Sequence, residues 1–478
     1  MITGEQMAVV DANAAALGVP RKQLMESSGN AVARTVREVA HPGDAVTVVA
    51  GRGNNGGDAF VAARFLDDFD LSVCLLGSAE TITTDIAREN WDALGQAEYD
   101  ATEVRDSADL ELGDPDVVVD AMLGTGVTGA LREPEATAAE RINDCDATVV
   151  AVDVPSGVNA DTGEAAGVAV EADRVVTFHD EKPGLVDLDA EVTVANIGIP
   201  DAAETFVERG DLLRLTRDPQ SHKGDHGEVL VVGGGPYTGA PALAAQAALR
   251  AGADLVRVAC PSVVAREIQG YSENLIVRPY DGDHLGPGHV GPLLEQARGH
   301  DVVVLGPGLG SRDETLDAVE GLLTGLDGTA VVDADALRVV PGVATEASLI
   351  CTPHQGELRA MGGTTDADWR ERASLVEAFA AELGVTMLVK GAYDVISDGE
   401  ETRVNRTGNP GMTVGGTGDV LAGAVGALAA TQDPRHAAAI GAYANGRAGD
   451  HVVDERGYGL VATDLLDRLP EALWGERP

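Results

Sequence analysis

Asn409-Pro410-Gly411-Met412-Thr413-Val414-Gly415-Gly416-Thr417-Gly418-Asp419-Val420-Leu421-Ala422-Gly423 is the stretch on which the reading of the chain turns. Gly415, Gly416 and Gly418 leave bare backbone N–H groups that can crowd around an anion. The apolar run from Val420 to Ala430 reads as a helix whose positive end faces it. Asp419 then has two readings. It is a helix N-cap, for which Asp is a preferred residue, or it is an acid placed where a phosphate and a base meet. A capping box requires Glu or Gln three residues on, and Ala422 stands there, so capping accounts for the acid only in part.

The rest of the chain sets the context. Its 478 residues allow more than one domain, and 34 basic against 78 acidic residues give a net charge of −44. That balance, spread along the chain, opposes nucleic acid and anionic membranes as partners. Only Lys22, Lys182, Lys223 and Lys390 are lysines, every other basic residue being arginine. An acidic, lysine-poor and aromatic-poor surface suits high salt, where self-repulsion is screened over about 3 Å at 1 M. The expected setting is a halophile's cytosol. Cys74, Cys145, Cys260 and Cys351 are scattered, with neither a Cys-x-x-Cys pair nor a zinc spacing. The start carries no basic and apolar leader and no window approaches the roughly 20 apolar residues of a membrane span, so a cytoplasmic protein is expected.

In the first half, residues 5 to 40 carry helical periodicity, with a break expected at Leu24–Gly29. A strand at Ala45–Ala50 leads into the loop Gly51-Arg52-Gly53-Asn54-Asn55-Gly56-Gly57-Asp58 and a helix expected over 59–69. Gly51, Gly53 and Gly56 satisfy G-x-G-x-x-G. The next strand, Leu71–Leu76, ends in Gly77-Ser78 without the acid that grips a ribose, so a Rossmann dinucleotide site is disfavoured. Asn54, Asn55 and Asp58 instead offer oxygen ligands to a hard cation together with a phosphate, or simply fill a solvated turn. Two more strands end in Asp120 and in Asp153-Val154-Pro155-Ser156-Gly157. Ligands of an open parallel sheet sit beyond the strands' carboxyl ends, which puts all three loops on one rim.

These motifs resemble the YjeF amino-terminal family, the NAD(P)H-hydrate epimerases, over residues 1–212. The resemblance implies a Rossmann-like α/β/α sandwich with a potassium ion on Asn55, Asp120 and Ser156. It further implies that Asn54, Asn55, Gly56, Gly57 and Asp58, the segment Gly124, Thr125, Gly126, Val127, Thr128, Gly129 and Ala130, and Asp153 hold the hydrated nicotinamide nucleotide. Asp153 would be the acid/base, proton transfer by a placed carboxylate contributing typically about 10² to 10⁴-fold; its competing reading is a strand-end turn residue. Lys182, in a lysine-proline-glycine turn that matches the family, either meets a phosphate or forms a structural ion pair.

The first unit closes at Ala195–Pro200, and a charged connection places the boundary between 205 and 222, with the second domain over residues 217–475. Strands there deliver Gly233–Pro241, Gly306–Gly310, Asp333-Ala334-Asp335, Thr352–Glu357 and Lys390–Asp394, each at a carboxyl end, before the Gly415–Asp419 element. No G-x-x-x-x-G-K-[ST] motif occurs, which excludes a P-loop kinase. The order resembles the ribokinase-like superfamily. More closely, His222-Lys223-Gly224, Gly239-Ala240-Pro241, Gly306-Pro307-Gly308-Leu309-Gly310, Pro353-His354-x-Gly356-Glu357, Lys390-Gly391 and Gly415–Asp419 resemble the YjeF carboxy-terminal family, the NAD(P)H-hydrate dehydratases.

That resemblance implies a ribokinase-like α/β domain in which ADP phosphorylates the C6 hydroxyl of the S hydrate, phosphate then leaves, and AMP is released. Asp419 would take the hydroxyl proton and the N–H groups of Gly416 to Gly418 would stabilise the phosphoryl. Lys390, Gly391, Ala392, Tyr393, Asp394 and Gly418 would bind AMP, and Ala240, Gly308, His354 and Asp419 the hydrate. Mg²⁺ is expected, with Glu357 as a candidate ligand or, equally, a first-turn acid; His354 could be a helix-entry residue. The implied protein is a bifunctional repair enzyme and a homo-oligomer, such as a homotetramer. The alternative is a small-molecule kinase with a regulatory nucleotide-binding first domain.

Overall fold

A computed structural model shows two compact units, Met1–Ala203 and Glu204–Pro478. It describes every residue except Val127, Glu476 and Pro478. Both units are α/β, as the alternation of apolar runs and helical periods predicts.

The first unit is built on a sheet of seven parallel strands: β1 (Ala45–Ala50), β2 (Asp70–Leu76), β3 (Ala101–Val104), β4 (Val117–Ala121), β5 (Thr148–Val152), β6 (Arg174–Phe178) and β7 (Glu191–Ala195). Their order is β3-β2-β1-β4-β5-β6-β7. Runs such as Val-Val-Val are apolar on both faces because helices cover both. Val46, Val48, Val117 and Val119 enter one core while Val49, Val118 and Val149 enter the other. The order reverses between β1 and β4, and there the carboxyl ends open a crevice. The register Val49↔Asp120 sets the Asp120 carboxylate at that end.

Two expectations need correcting. The amino-terminal helices are Gly4–Ala16 and Arg21–Val39, so the break falls at Leu17–Pro20 and Leu24–Gly29 lies inside the second helix. Gly29 is kept there by packing, since a Cβ would come within 2.5 Å of Val61. The helix expected over 59–69 runs Asn54–Arg64; the Asn-Asn-Gly-Gly-Asp segment is its first turns and not a loop.

The second unit carries nine strands: β8 (Glu228–Val232), β9 (Leu255–Pro261), β10 (Ile276–Tyr280), β11 (Val302–Leu305), β12 (Thr329–Val332), β13 (Ser348–Cys351), β14 (Thr386–Val389), β15 (Asp394–Ser397) and β16 (Thr402–Asn405). Their order is β10-β9-β8-β11-β12-β13-β14-β15-β16. All pairs are parallel except β14 with β15 and β15 with β16. Val229 and Val231 face one core, Leu230 and Val232 the other. The expected first domain ended at 212, but residues beyond Ala203 belong with this second unit. Val207 N donates to Val404 O at 3.0 Å and Arg403 pairs with Asp211 at 3.0 Å, which fastens the segment to β16. Among the described residues no helix is long and apolar enough to cross a membrane.

Candidate functional sites

In the first unit the crevice forms where the ends of β1, β4 and β5 meet. Gly51 is required by close approach, a Cβ there lying 1.9 Å from Met122 O. Asp120 is fully buried and saturated: Oδ1 accepts from Ser156 Oγ at 2.7 Å and Met122 N at 3.2 Å, and Oδ2 from Ser156 N at 2.8 Å. Burial pushes its carboxyl up to about 6 against those hydrogen bonds. Asn55 is buried against the loop after β4, its Cγ 3.4 Å from where a Cβ on Gly124 would stand, and its Nδ2 has no partner among the described residues. An orphaned amide on one wall of the crevice and a buried carboxylate on which no cation acts fit a cation held by oxygens, because Asn O and N are interchangeable in assignment. No cluster of three or more His, Cys, Asp or Glu among the described residues is arranged for a metal ion. The donor set is therefore one carboxylate plus neutral oxygens from Ser156 and Asn55, which suits a monovalent hard cation.

A cavity of about 530 Å³ opens beside it, lined by Asn54, Asn55, Asp58, Gly124, Thr125, Gly126 and Asp153 among others. Asp153 has φ +66, an uncommon conformation for a non-glycine residue, in which Asp is tolerated better than most. Its Oδ1 lies 3.0 Å from Lys182 Nζ and accepts from Thr177 Oγ1 at 3.1 Å. The Lys182 side chain is completely buried and also donates to Phe178 O at 2.7 Å. Of the two readings of Lys182, the ion pair is the one observed, and it holds Asp153 in the wall of the cavity. Asp58 also faces the cavity. Burial, followed by Asp153 and Asp11, raises its carboxyl well above the usual range.

Other expected residues lie differently. Gly56 and Gly57 are buried by packing: a Cβ at Gly56 would meet Gly51 O at 2.0 Å and one at Gly57 would meet Met25 Cε at 2.7 Å. They let the helix sit close and do not line the cavity. Thr128, Gly129 and Ala130 are exposed and stand outside its lining. Val127 lies outside the described residues. Sequence reasoning missed Asp11 and Arg21, which line the cavity from the amino-terminal helices. No local motif marks either.

In the second unit the decisive element is the helix Thr417–Leu428. Its N-cap is Gly416, at φ +98, and Asp419 lies in the first turn. The capping reading of Asp419 is thereby corrected, since the cap position needs a left-handed residue that glycine supplies without strain. Thr417 Oγ1 ties the turn to Met412 O at 2.9 Å. The N–H groups of Gly415, Gly416, Thr417, Gly418 and Asp419 have no acceptor among the described residues. Free N–H groups at a helix start are what an anion-binding turn requires.

Three carboxylates surround one lysine here. Lys390 Nζ lies 3.0 Å from Asp333 Oδ1 and 3.8 Å from Glu357 Oε2, and 3.3 Å from where a Cβ on Gly418 would stand. Burial disfavours the Lys390 charge, but Asp333, Glu357 and Asp419 outweigh it and raise its pKa. Asp419 is pushed up to about 7, by burial first and then by Asp333, with Lys390 pulling the other way. Asp333, which directly follows β12 and is buried, also accepts from Thr352 Oγ1 at 2.8 Å. The sequence shows Asp333 at a strand end, but its partnership with Lys390 is a spatial fact.

His354 caps the helix Gln355–Ala360: its Nδ1 accepts from Gly356 N at 2.9 Å and Glu357 N at 3.1 Å, while Glu357 Oε2 accepts from His354 N at 2.8 Å. The helix-entry reading of His354 and the first-turn reading of Glu357 are both observed. Glu357, committed to the cap and turned toward Lys390, is a poor sole ligand for Mg²⁺. Ala240 and Gly308 are neighbours, with 3.4 Å between the Ala240 Cβ and a Cβ placed on Gly308. Lys390 reaches the acid cluster, whereas Gly391, Ala392 and Tyr393 form the turn into β15. Asp394 is spent inside that turn, accepting from Gly391 N at 2.8 Å and Asn405 Nδ2 at 2.9 Å. The Tyr393 ring stacks on Trp369 at 5.6 Å.

Residues 229–471 match the family described as NAD(P)H-hydrate dehydratase, and residues 21–184 the family described as YjeF-related protein N-terminus. A bifunctional NAD(P)H-hydrate repair enzyme Nnr of Pyrobaculum aerophilum is 45% identical over 491 residues, covering 99% of this chain and 98% of that protein. One of Methanothermobacter thermautotrophicus is 43% identical, covering 98% and 94%. An ADP/ATP-dependent NAD(P)H-hydrate dehydratase from Bacillus subtilis, co-crystallized with ATP/Mg²⁺, superposes with a TM-score of 0.50 at 27% identity, over 57% of this chain and 99% of that one. A ribokinase-like superfamily protein from Enterococcus faecalis gives 0.51 at 23% identity, over 57% and 97%, a likeness of fold alone. With both halves matched in order along its length, the chain belongs to the family of bifunctional NAD(P)H-hydrate repair enzymes.

Proposed function

We propose that the chain is a cytoplasmic, homo-oligomeric repair enzyme: its first unit interconverts the R and S hydrates of NAD(P)H, and its second dehydrates the S form with ADP. The observation that carries the reading is the turn Gly415–Asp419, whose unpartnered N–H groups adjoin a carboxylate poised near neutrality beside Lys390.

In the second unit Asp419 accepts the C6 hydroxyl proton as the oxygen attacks the terminal phosphoryl of ADP. The free N–H groups stabilise charge on the phosphoryl in flight, a contribution that usually forms the largest single term. Lys390 stands ready for the developing negative charge. Phosphate then leaves with its bonding pair while N1 donates electrons to C6, and loss of a C5 proton restores the dihydronicotinamide. Ala240, Gly308 and His354 line the hydrate's side, and Gly391 to Tyr393 the AMP side, with Asp394 holding their turn in place. Mg²⁺ bound with the nucleotide neutralises phosphate charge.

In the first unit Asn55, Asp120 and Ser156 would hold K⁺, which would supply positive charge beside the substrate. Asp153, oriented by Lys182 and Thr177, exchanges the proton of the C6 hydroxyl. Asn54, Asp58 and Gly124 to Gly126 surround the ring.

Purified protein given each hydrate epimer with ADP or ATP tests both halves. Recovery of the 340 nm absorbance, with AMP and phosphate formed, is expected; a product that keeps its phosphate overturns the dehydratase in favour of a kinase. Asp153→Asn is expected to abolish enzymic turnover of the R epimer while S turnover is unchanged. Retained R turnover sinks the first-unit assignment.

A further inference from the structure

The helix Gly4–Ala16 precedes the segment that matches the epimerase family, yet Gly4, Met7, Ala8 and Asp11 line the cavity that holds Asp153. The helix is anchored to the cavity rim, a Cβ on Gly4 lying 3.1 Å from Thr125 O. Asp11 accepts no hydrogen bond from the described residues, and the groups acting on it are Arg21, Asp153, Lys182 and His179, with Asp58 coupled to it from the third helix. An unengaged carboxyl facing a cavity opposite an ion-paired one is the arrangement that a two-group proton exchange needs.

We propose that Asp11 is a second proton-transfer residue of this cavity, acting with Asp153 on the hydrated nicotinamide. The proposal rests on the epimerase reading. Inverting C6 without loss of oxygen requires the ring to open. Asp153 takes the hydroxyl proton, the O–H pair becomes the C6=O π bond, and the C6–N1 bond breaks with its electron pair going to N1. Asp11 delivers a proton to N1, whose lone pair is conjugated with the carboxamide. Rotation about C5–C6 presents the other carbonyl face; N1 attacks it, returns its proton to Asp11, and the oxygen recovers its proton from Asp153. No water, electron or proton is consumed.

Asp11 is favoured over Asp58 for the second role because it is the more accessible of the two carboxyls, half-buried on the cavity wall where Asp58 is buried. Burial pushes Asp11 up to about 6 against the pull of Arg21, so it gains and loses protons near neutral pH, where general acids work best. Burial, followed by Asp153 and Asp11, raises Asp58 well above the usual range.

The test uses the full chain, resolved R hydrate of NADH and no ADP, so that only epimerisation is read. Initial rates are followed across about pH 5 to 9. Asp11→Asn is expected to lower kcat by about 100-fold or more with KM changed less than about threefold, and to lose the limb on which the wild-type rate falls as Asp11 deprotonates. Asp11→Glu is expected to recover part of the rate and the limb. A rate for Asp11→Asn within about threefold of wild type, with the limb retained, overturns the proposal. So does loss of activity in both variants together with a lowered melting transition, which makes Asp11 structural. Wild type that fails to convert the R hydrate faster than buffer overturns the epimerase reading itself.

Discussion

Asp419 combines two requirements that pull against each other. A base must be ionised to work, and burial beside Asp333 and Glu357 favours its neutral form, up to about 7. The dehydration rate should therefore rise with pH through about 7 and fall about tenfold per unit below it. Asp419→Asn should lose about 10² to 10⁴-fold in kcat while nucleotide affinity, read by calorimetry, is kept. A near-normal rate would leave the residue without a catalytic role. The same shift makes a stability prediction. A carboxyl with a raised folded-state pKa contributes stability at low pH that is lost as pH rises from the unfolded value of 3.8 through about 7. Asp419→Asn should then melt higher than wild type at pH 8, by on the order of 1–3 kcal/mol after allowance for partial solvent access, and equally near pH 4. Lys390 would not be stranded by the change, because Asp333 and Glu357 remain against it.

At the scale of elements, the helix Thr417–Leu428 aims its N–H groups only because it lies almost in contact with the helix Gly239–Ala251. A Cβ on Gly423 would stand 1.9 Å from Ala244 O, a backbone atom that cannot swing away. Gly423→Ala should therefore force the helices apart, destabilising by about 2 kcal/mol or more and lowering dehydratase kcat, despite alanine's better helix propensity. Calorimetry and the S-hydrate assay check it; an unchanged melting transition would mean the helix pair is not close-packed. The elements also show what sequence makes legible. Uninterrupted apolar runs such as Thr148–Val152, Val302–Leu305 and Thr386–Val389 read directly as buried strands. The strand β7, opened by Glu191, and the antiparallel edge β15 and β16 carry no such run and escape, whereas β6 follows Arg174 with the apolar Val175-Val176-Thr177-Phe178 and is overlooked all the same. Helix starts fail where glycine sits in the first turns, as at Asn54–Asp58, because close packing and turn signals look alike in composition. Asp120, Asp153 and Asp419 were readable from strand ends and the glycine turn. Asp11 and the Asp333–Lys390 pair were not, since only folding brings them to their partners.

For the whole molecule, a net charge of −44 on 478 residues predicts a folded state strained by its own field. Raising salt from 0.1 M to 1 M shortens the Debye length from about 10 Å to about 3 Å, so the melting temperature should climb steeply over that range. This is the halophilic expectation in measurable form, and a flat response would reject it. Screening does not distinguish Na⁺ from K⁺ at equal ionic strength, whereas the proposed oxygen set of Asn55, Asp120 and Ser156 would, and there burial outweighs the hydrogen bonds and raises Asp120 to about 6. A bound cation would lower that value and favour the carboxylate. Replacing K⁺ by Na⁺ at constant ionic strength should accordingly leave the melting temperature of the second unit's transition unchanged and reduce R-hydrate turnover. In Asp120→Asn the two ions should become equivalent for turnover. If K⁺ and Na⁺ support R-hydrate turnover equally in the wild type, the cradle does not hold potassium, and Asp120 serves only to clamp Ser156 and the loop after β4.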